Sequence, residues 1–104
     1  MAINQEFQKF RKLDFDDFCL LTLLADGHSP TKIAKYLFIT PPAISHRLAK
    51  YATMWGSDIY DQKIPHQSRR TLTKKGIDLC KKMKLVLYFF MQLPEDFKFV
   101  SLFE

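Results

Sequence analysis

Two helix starts stand close together in the middle of the chain, and they limit its fold more than any other feature. Ser29 followed by Pro30 can cap one helix, because the serine oxygen accepts an orphan amide and a proline at the first helical position has no amide to satisfy. Thr40 followed by Pro41 and Pro42 repeats the device for a second helix. The first runs from Pro30 to Leu37 and buries Ile33, Ala34 and Leu37, with Phe38 and Ile39 making the turn. In the second, Ile44, Leu48, Tyr51 and Trp55 recur at helical spacing as one inward stripe, and Gly56 ends it. A short helix, a tight turn and a longer helix are the arrangement that lays a recognition helix into a DNA major groove.

The flanking sequence predicts further helices and one hairpin. Over residues 1 to 13, Ile3, Phe7, Phe10 and Leu13 have helical spacing and suit an amphipathic arm or extra helix. A helix over residues 14 to 25 carries Phe15, Phe18, Cys19, Thr22 and Ala25 on one face. Asp14, Asp16 and Asp17 occupy its first turn, where carboxylates meet the positive end of the dipole. Beyond Gly56, strands over residues 59 to 64 and 69 to 72, joined by a turn at 65 to 68, form a two-stranded wing. Thr73 caps a last helix from Lys74 to about Gln92, which Pro94 stops. From Leu85 to Met91 that helix is apolar on every side, so it needs a partner.

Composition bounds the function. A chain of 104 residues, 47% apolar and 26% charged, suits one compact domain and excludes general disorder. Its formal charge of +5 is segregated. Residues 1 to 28 hold three basic against five acidic groups, residues 29 to 93 hold twelve against three, and the tail from Pro94 returns a net of −2. Such a field suits a polyanion, since Lys and Arg that neutralise phosphates release condensed counterions. Cys19 and Cys80 sit among apolar neighbours and read as buried, reduced thiols. The opening Met-Ala-Ile-Asn-Gln-Glu lacks the layout of a signal peptide, and the run from Leu85 to Met91 is too short to span a bilayer, so a cytoplasmic protein is expected. His28, His46 and His66 have no metal-ligand spacing with either cysteine, and there is no glycine-rich phosphate loop or paired-carboxylate cleft. Neither an enzyme nor a cofactor or metal is expected.

With the Ile44 stripe facing inward, helical geometry turns Pro41, Pro42, Ser45, His46, Ala49 and Lys50 outward, with Arg47 at the flank. Short or planar polar side chains near a helix N-terminus can read base edges, while Lys and Arg farther out take phosphates. Ser45 and His46 are therefore the candidate base readers, and Ala49 lets the backbone come close.

Ser29, Thr31, Ala34, Leu37, Ile39, Thr40, the run Pro42-Ala43-Ile44-Ser45, Leu48, Tyr51, Gly56, Ile59 and Tyr60, resumed at Leu72, Thr73 and Gly76, resemble the N-terminal DNA-binding domain of LysR-type transcriptional regulators. The likeness covers roughly residues 14 to 92. It implies a mainly α fold, a winged helix-turn-helix over residues 14 to 93 with a two-stranded wing and a long C-terminal dimerisation helix, flanked by an arm at 1 to 13 and a tail at 94 to 104. It also implies double-stranded DNA as partner, with base or groove contacts from Pro41, Pro42, Ser45 and His46 and phosphate contacts from Thr31 and Lys32. Thr40, Arg47 and Lys50 complete that surface, and Lys63, Arg69 and Arg70 on the wing reach the flanking minor groove or backbone. The last helix would pair antiparallel in a homodimer through Leu79, Met83, Val86, Leu87 and Phe90. His46 stands where the family usually carries Arg, the wing is longer than the family norm, and the large effector-binding domain is missing, so no small-molecule effector is expected.

Three other arrangements fit parts of the pattern. A winged helix can serve protein contact, as an antirepressor or adaptor, with the aromatic termini as docking surface. Lys81, Lys82 and Lys84 beside the apolar run suit a membrane surface, but burial in a dimer accounts for the same run and no membrane partner is expected. Phe7, Phe10, Phe97, Phe99 and Phe103 could fold over the last helix within one chain and remove the need for a dimer.

Overall fold

Side-chain caps set where each helix of this chain begins. In the computed structural model, which describes residues 4–61 and 71–104, the α-helices are α1 (Gln5–Arg11), α2 (Phe15–Ala25), α3 (Pro30–Leu37), α4 (Pro41–Trp55) and α5 (Lys74–Met91). Asn4 Oδ1 accepts the Glu6 and Phe7 amides ahead of α1. Ser29 Oγ accepts the Lys32 amide, Thr40 Oγ1 the Ala43 amide and Thr73 Oγ1 the Gly76 amide, as their positions in the sequence led us to expect. Each such cap contributes about 1 kcal/mol. Asp14, expected in the first turn of α2, stands one position earlier as its cap. Its carboxylate accepts the Asp17 amide at 2.8 Å while the Asp17 carboxylate accepts the Asp14 amide at 2.9 Å, a reciprocal capping box.

The fold is mainly helical, and α2 is its centre. The one-sided stripe expected for α2 does not form. Cys19, Leu20, Leu21, Thr22, Leu23 and Leu24 are buried in succession, and Phe15 is half exposed. The reason is that α3, α5 and the C-terminal segment all pack on α2, and a helix covered on most sides leaves no solvent face for an alternating pattern. The buried Thr22 hydroxyl donates to the Phe18 carbonyl at 2.7 Å. Cys19 and Cys80 are buried free thiols, and burial pushes them up to about 11 and about 12.

Helix ends are equally specific. Phe38 closes α3 in the left-handed conformation, φ 54°. Gly56 closes α4 at φ 103°, a backbone state that glycine adopts without strain. A 3-10 turn at Ser57–Ile59 follows, where the first residue of a strand was expected. β1 (Tyr60–Asp61) then pairs antiparallel with β2 (Thr71–Leu72), Tyr60 opposite Leu72 and Asp61 opposite Thr71. The rest of the expected wing, including Lys63, His66, Gln67, Arg69 and Arg70, lies outside the described residues. α5 is locked onto the 3-10 turn. The Thr73 amide donates to the Ile59 carbonyl at 3.0 Å, and a Cβ on Gly76 would stand 2.1 Å from that same oxygen, so only glycine permits the approach.

The C-terminal segment joins the core. Phe99 is buried in a 3-10 turn at Phe99–Leu102, the Tyr88 hydroxyl donates to the Phe97 carbonyl at 2.5 Å, and Phe103 stacks between Phe99 and Tyr36. Folding of the aromatic tail over the last helix within one chain is thus realised on the Tyr88 side of α5. No helix among the described residues is long and apolar enough to cross a membrane.

Candidate nucleic-acid interface

The inward stripe of α4 forms as its spacing dictates: Ile44, Leu48 and Tyr51 are buried and Trp55 is partly so. That seating leaves Thr40, Pro41, Pro42, Ser45, His46 and Ala49 exposed along one side of the helix. On α3, which packs against α4, Thr31 and Lys32 are exposed in the first turn and Lys35 in the next. Among the described residues none of these side chains carries a negative charge. The outward half of α4 is therefore small, rich in donors and acceptors, and flanked by cations on the neighbouring helix.

Arg47 and Lys50, expected on that same surface, point elsewhere. Arg47 Nη1 donates to Asp14 Oδ1 at 2.8 Å and to Asp17 Oδ1 at 2.9 Å, and Lys50 Nζ donates to Asp17 Oδ2 at 2.6 Å. The Tyr51 hydroxyl adds a bond to Asp17 Oδ1 at 2.5 Å. Asp17 itself is 0% exposed. Burial on its own would push the Asp17 carboxyl up, but bonds from Lys50, Tyr51, the Asp14 amide and Arg47 outweigh it and hold the carboxyl below its ordinary value. The Arg47 guanidinium is held more firmly protonated, chiefly by Asp14, and Tyr51 is raised by burial and by its bond to Asp17.

Sequence reasoning assigned Asp17 only to the helix dipole and missed this hub. Two signals pointed to it. Asp14 and Asp17 have capping-box spacing, and Arg47, Lys50 and Tyr51 place three donors on one turn of α4.

The remaining cations divide in the same way. Lys75 bonds Asp58 and the Trp55 carbonyl, and Lys84 bonds Asp26 at 2.6 Å. Lys32, Lys35, Lys74, Lys81 and Lys82 have no carboxylate partner among the described residues. Arg11 and Lys12 at the end of α1 and Lys98 in the tail likewise have no carboxylate partner among the described residues, so the free positive charge lies on α3, along α5 and at these two flanks. The Trp55 indole nitrogen is buried and has no hydrogen-bond partner among the described residues.

On α5 the expected pairing surface needs correction. Met83 and Leu87 are 0% and 2% exposed inside a single chain, because α5 seats that side on α2. Leu79 is partly buried and lines a cleft beneath α1 with Phe10 and Trp55. Val86 and Phe90 are exposed, as expected, and they adjoin Leu85, Phe89 and Met91, with Phe89 87% and Phe90 75% exposed. Phe90 packs against Phe15 of α2 with the rings tilted by 57° and 6.3 Å between centroids. Between the two helices lies an apolar cleft of about 190 Å³ lined by Leu13, Phe15, Phe18, Val86 and Phe90.

The chain matches no protein-family model, no curated protein and no solved structure. Its chemistry therefore has to be inferred from its own surfaces. Among the described residues no group of His, Cys, Asp and Glu is arranged to hold a metal ion. What the α3–α4 surface can do is donate and accept hydrogen bonds through Ser45, His46 and Thr40 at the positive end of a helix, beside unpaired lysines.

Proposed function

We propose that this chain is a transcriptional regulator that binds double-stranded DNA sequence-specifically as a homodimer, through a winged helix-turn-helix of the LysR-type kind. α4 is the recognition helix, with Pro41, Pro42, Ser45 and His46 toward the base edges and Thr31, Lys32 and Thr40 toward the phosphates. The segment between β1 and β2, with Lys63, Arg69 and Arg70, is the wing. The observation that carries the proposal is the exposed, small and polar outward half of α4, held in place by its buried Ile44, Leu48 and Tyr51 side. The apolar end of α5 supports the homodimer, because a contiguous apolar patch is rare on a small soluble monomer. A two-fold pair presents two recognition helices to a near-palindromic site.

Titration of duplex DNA at several salt concentrations tests the proposal. About five to eight phosphate contacts give a log-log salt slope of roughly −4 to −7. Ser45→Ala with His46→Ala relaxes sequence preference and leaves nonspecific affinity largely intact, whereas Lys32→Gln with Lys35→Gln weakens all sequences alike and flattens the slope. Absence of binding, or binding indifferent to salt, overturns the DNA assignment. The second reading, a protein-interaction module, is favoured by the Phe89 and Phe90 surface and predicts a stoichiometric protein complex without DNA affinity.

A further inference from the structure

A buried carboxylate cannot remain ionised without partners, and all the side-chain donors that serve the fully buried Asp17 come from one turn of α4. Arg47 and Lys50 belong to the helix proposed to enter the groove, yet both are bonded away from its outward face at 2.9 and 2.6 Å. For either to reach a phosphate, it must leave Asp17 short of a donor in a buried site. Breaking a buried pair costs more than a solvent-exposed ion pair returns. Tyr51 makes the arrangement directional. Its ring is in the core and its hydroxyl donates to Asp17, so a contact that helps satisfy the carboxylate also fixes the roll of α4 on α2.

We propose that Asp17 restrains DNA affinity in favour of selectivity, by holding Lys50, and together with Asp14 also Arg47, of the recognition helix off the phosphates and setting which residues of α4 face the groove. The inference rests on the DNA-binding function proposed above and adds to it a residue that never touches DNA. Asp17 is a positioning residue. It lowers the share of binding that comes from sequence-independent charge, so that Ser45 and His46 decide more of the outcome.

The experiment compares wild type with Asp17→Asn on a mixed-sequence duplex and on a duplex selected for tight binding, each across a salt series. With Asp17 neutral, Lys50 loses its carboxylate partner and becomes available to phosphate, while Arg47 keeps its bond to Asp14. Nonspecific binding tightens, the salt slope steepens by about 0.9 for one added contact, and the ratio of selected to mixed-sequence affinity falls. A purely structural role does not move the slope, because a smaller folded fraction weakens binding equally at every salt concentration.

Asp78→Asn, which removes one exposed negative charge from α5 without releasing a bound cation, leaves the slope unchanged and controls for net charge. Arg47→Gln and Lys50→Gln, each keeping an amide donor for Asp17, provide a second measurement that does not depend on the Asp17 variant folding. Each changes the wild-type slope by much less than the roughly 0.9 lost with Lys32→Gln. A folded Asp17→Asn protein with an unchanged or shallower slope overturns the proposal. So does a slope loss in Arg47→Gln or Lys50→Gln equal to that of Lys32→Gln. A wild-type protein that binds no duplex overturns the DNA-binding function itself, and this inference with it.

Discussion

α4 and α5 are both capped by a threonine, and both seat one side in the same core, yet the outward face of α4 and the outward C-terminal end of α5 are chemical opposites. Thr40, Ser45 and His46 on α4 are at ease in water and can exchange water for another set of polar partners at little cost. Leu85, Val86, Phe89 and Phe90 on α5 gain only from losing water. The difference separates two kinds of partner. A hydrated, charged ligand that comes and goes suits the first face, and a lasting apolar cover suits the second. It also explains why the tail packs where it does: Phe97 and Phe99 cover Tyr88 but leave Phe89 and Phe90 facing out.

The sharpest way to break this contrast is to charge the apolar face. Phe89→Asp with Phe90→Asp leaves the fold intact, since both side chains are largely exposed, and weakens self-association by about a thousandfold, at ~1 kcal/mol for each of the four anchors of a two-fold pair. Sedimentation equilibrium over the micromolar range measures it, with Ser45→Ala and His46→Ala as the matched change on α4 that leaves association unaltered. A wild-type protein that sediments as a monomer throughout that range overturns the proposed homodimer.

Next in size is the seat of α5. Gly76→Ala places a methyl group 2.1 Å from the Ile59 carbonyl oxygen. The helix start and the 3-10 turn must then separate, at a cost of about 1–3 kcal/mol. Urea denaturation reads that loss directly. An unchanged midpoint means that α5 can shift on the turn freely, and the inner sides of the two helices are then not equally fixed.

The inner side of α4 is tested by acid. Because the Asp17 carboxyl is held below its ordinary value, its contribution to stability is present above an unfolded pKa of about 3.9 and is lost as pH falls through the folded value. The charged groups that face it are Arg47 and Lys50 from α4, with Asp14 and Asp16 beside Arg47. The urea midpoint falls between pH 5 and pH 3 in wild type and falls less in Asp17→Asn. Equal acid sensitivity of the two proteins means that Asp17 does not anchor α4.

What the sequence made legible follows from how local each signal is. Ser29, Thr40 and Thr73 cap their helices through amides three residues ahead, so their roles need no tertiary context. The stripe of Ile44, Leu48 and Tyr51 is equally local. Asp17 could not be read in the same way, because its partners lie 30 or more residues away and depend on the roll of α4. Met83 and Leu87 were misplaced for a related reason: a helix apolar on every side does not reveal which side its own chain covers.

The smallest expected effect concerns the exception on the polar side. Phe38, just ahead of the Thr40 cap, is 96% exposed and held at φ 54°. Its ring contributes almost no burial, and its backbone state costs a non-glycine residue about 1 kcal/mol or more, less for Asn, whose short side chain tolerates it. Phe38→Asn should therefore stabilise the protein by up to about 1 kcal/mol, which for a chain of this size raises Tm by roughly 4–8 °C. Calorimetry checks the gain, and DNA titration of the same variant decides what it means. A gain in stability with unchanged affinity leaves the α4 face polar throughout its working surface. A gain in stability with weakened affinity makes Phe38 an apolar contact on the DNA side, and the contrast between the two helices then holds only for the residues after Thr40.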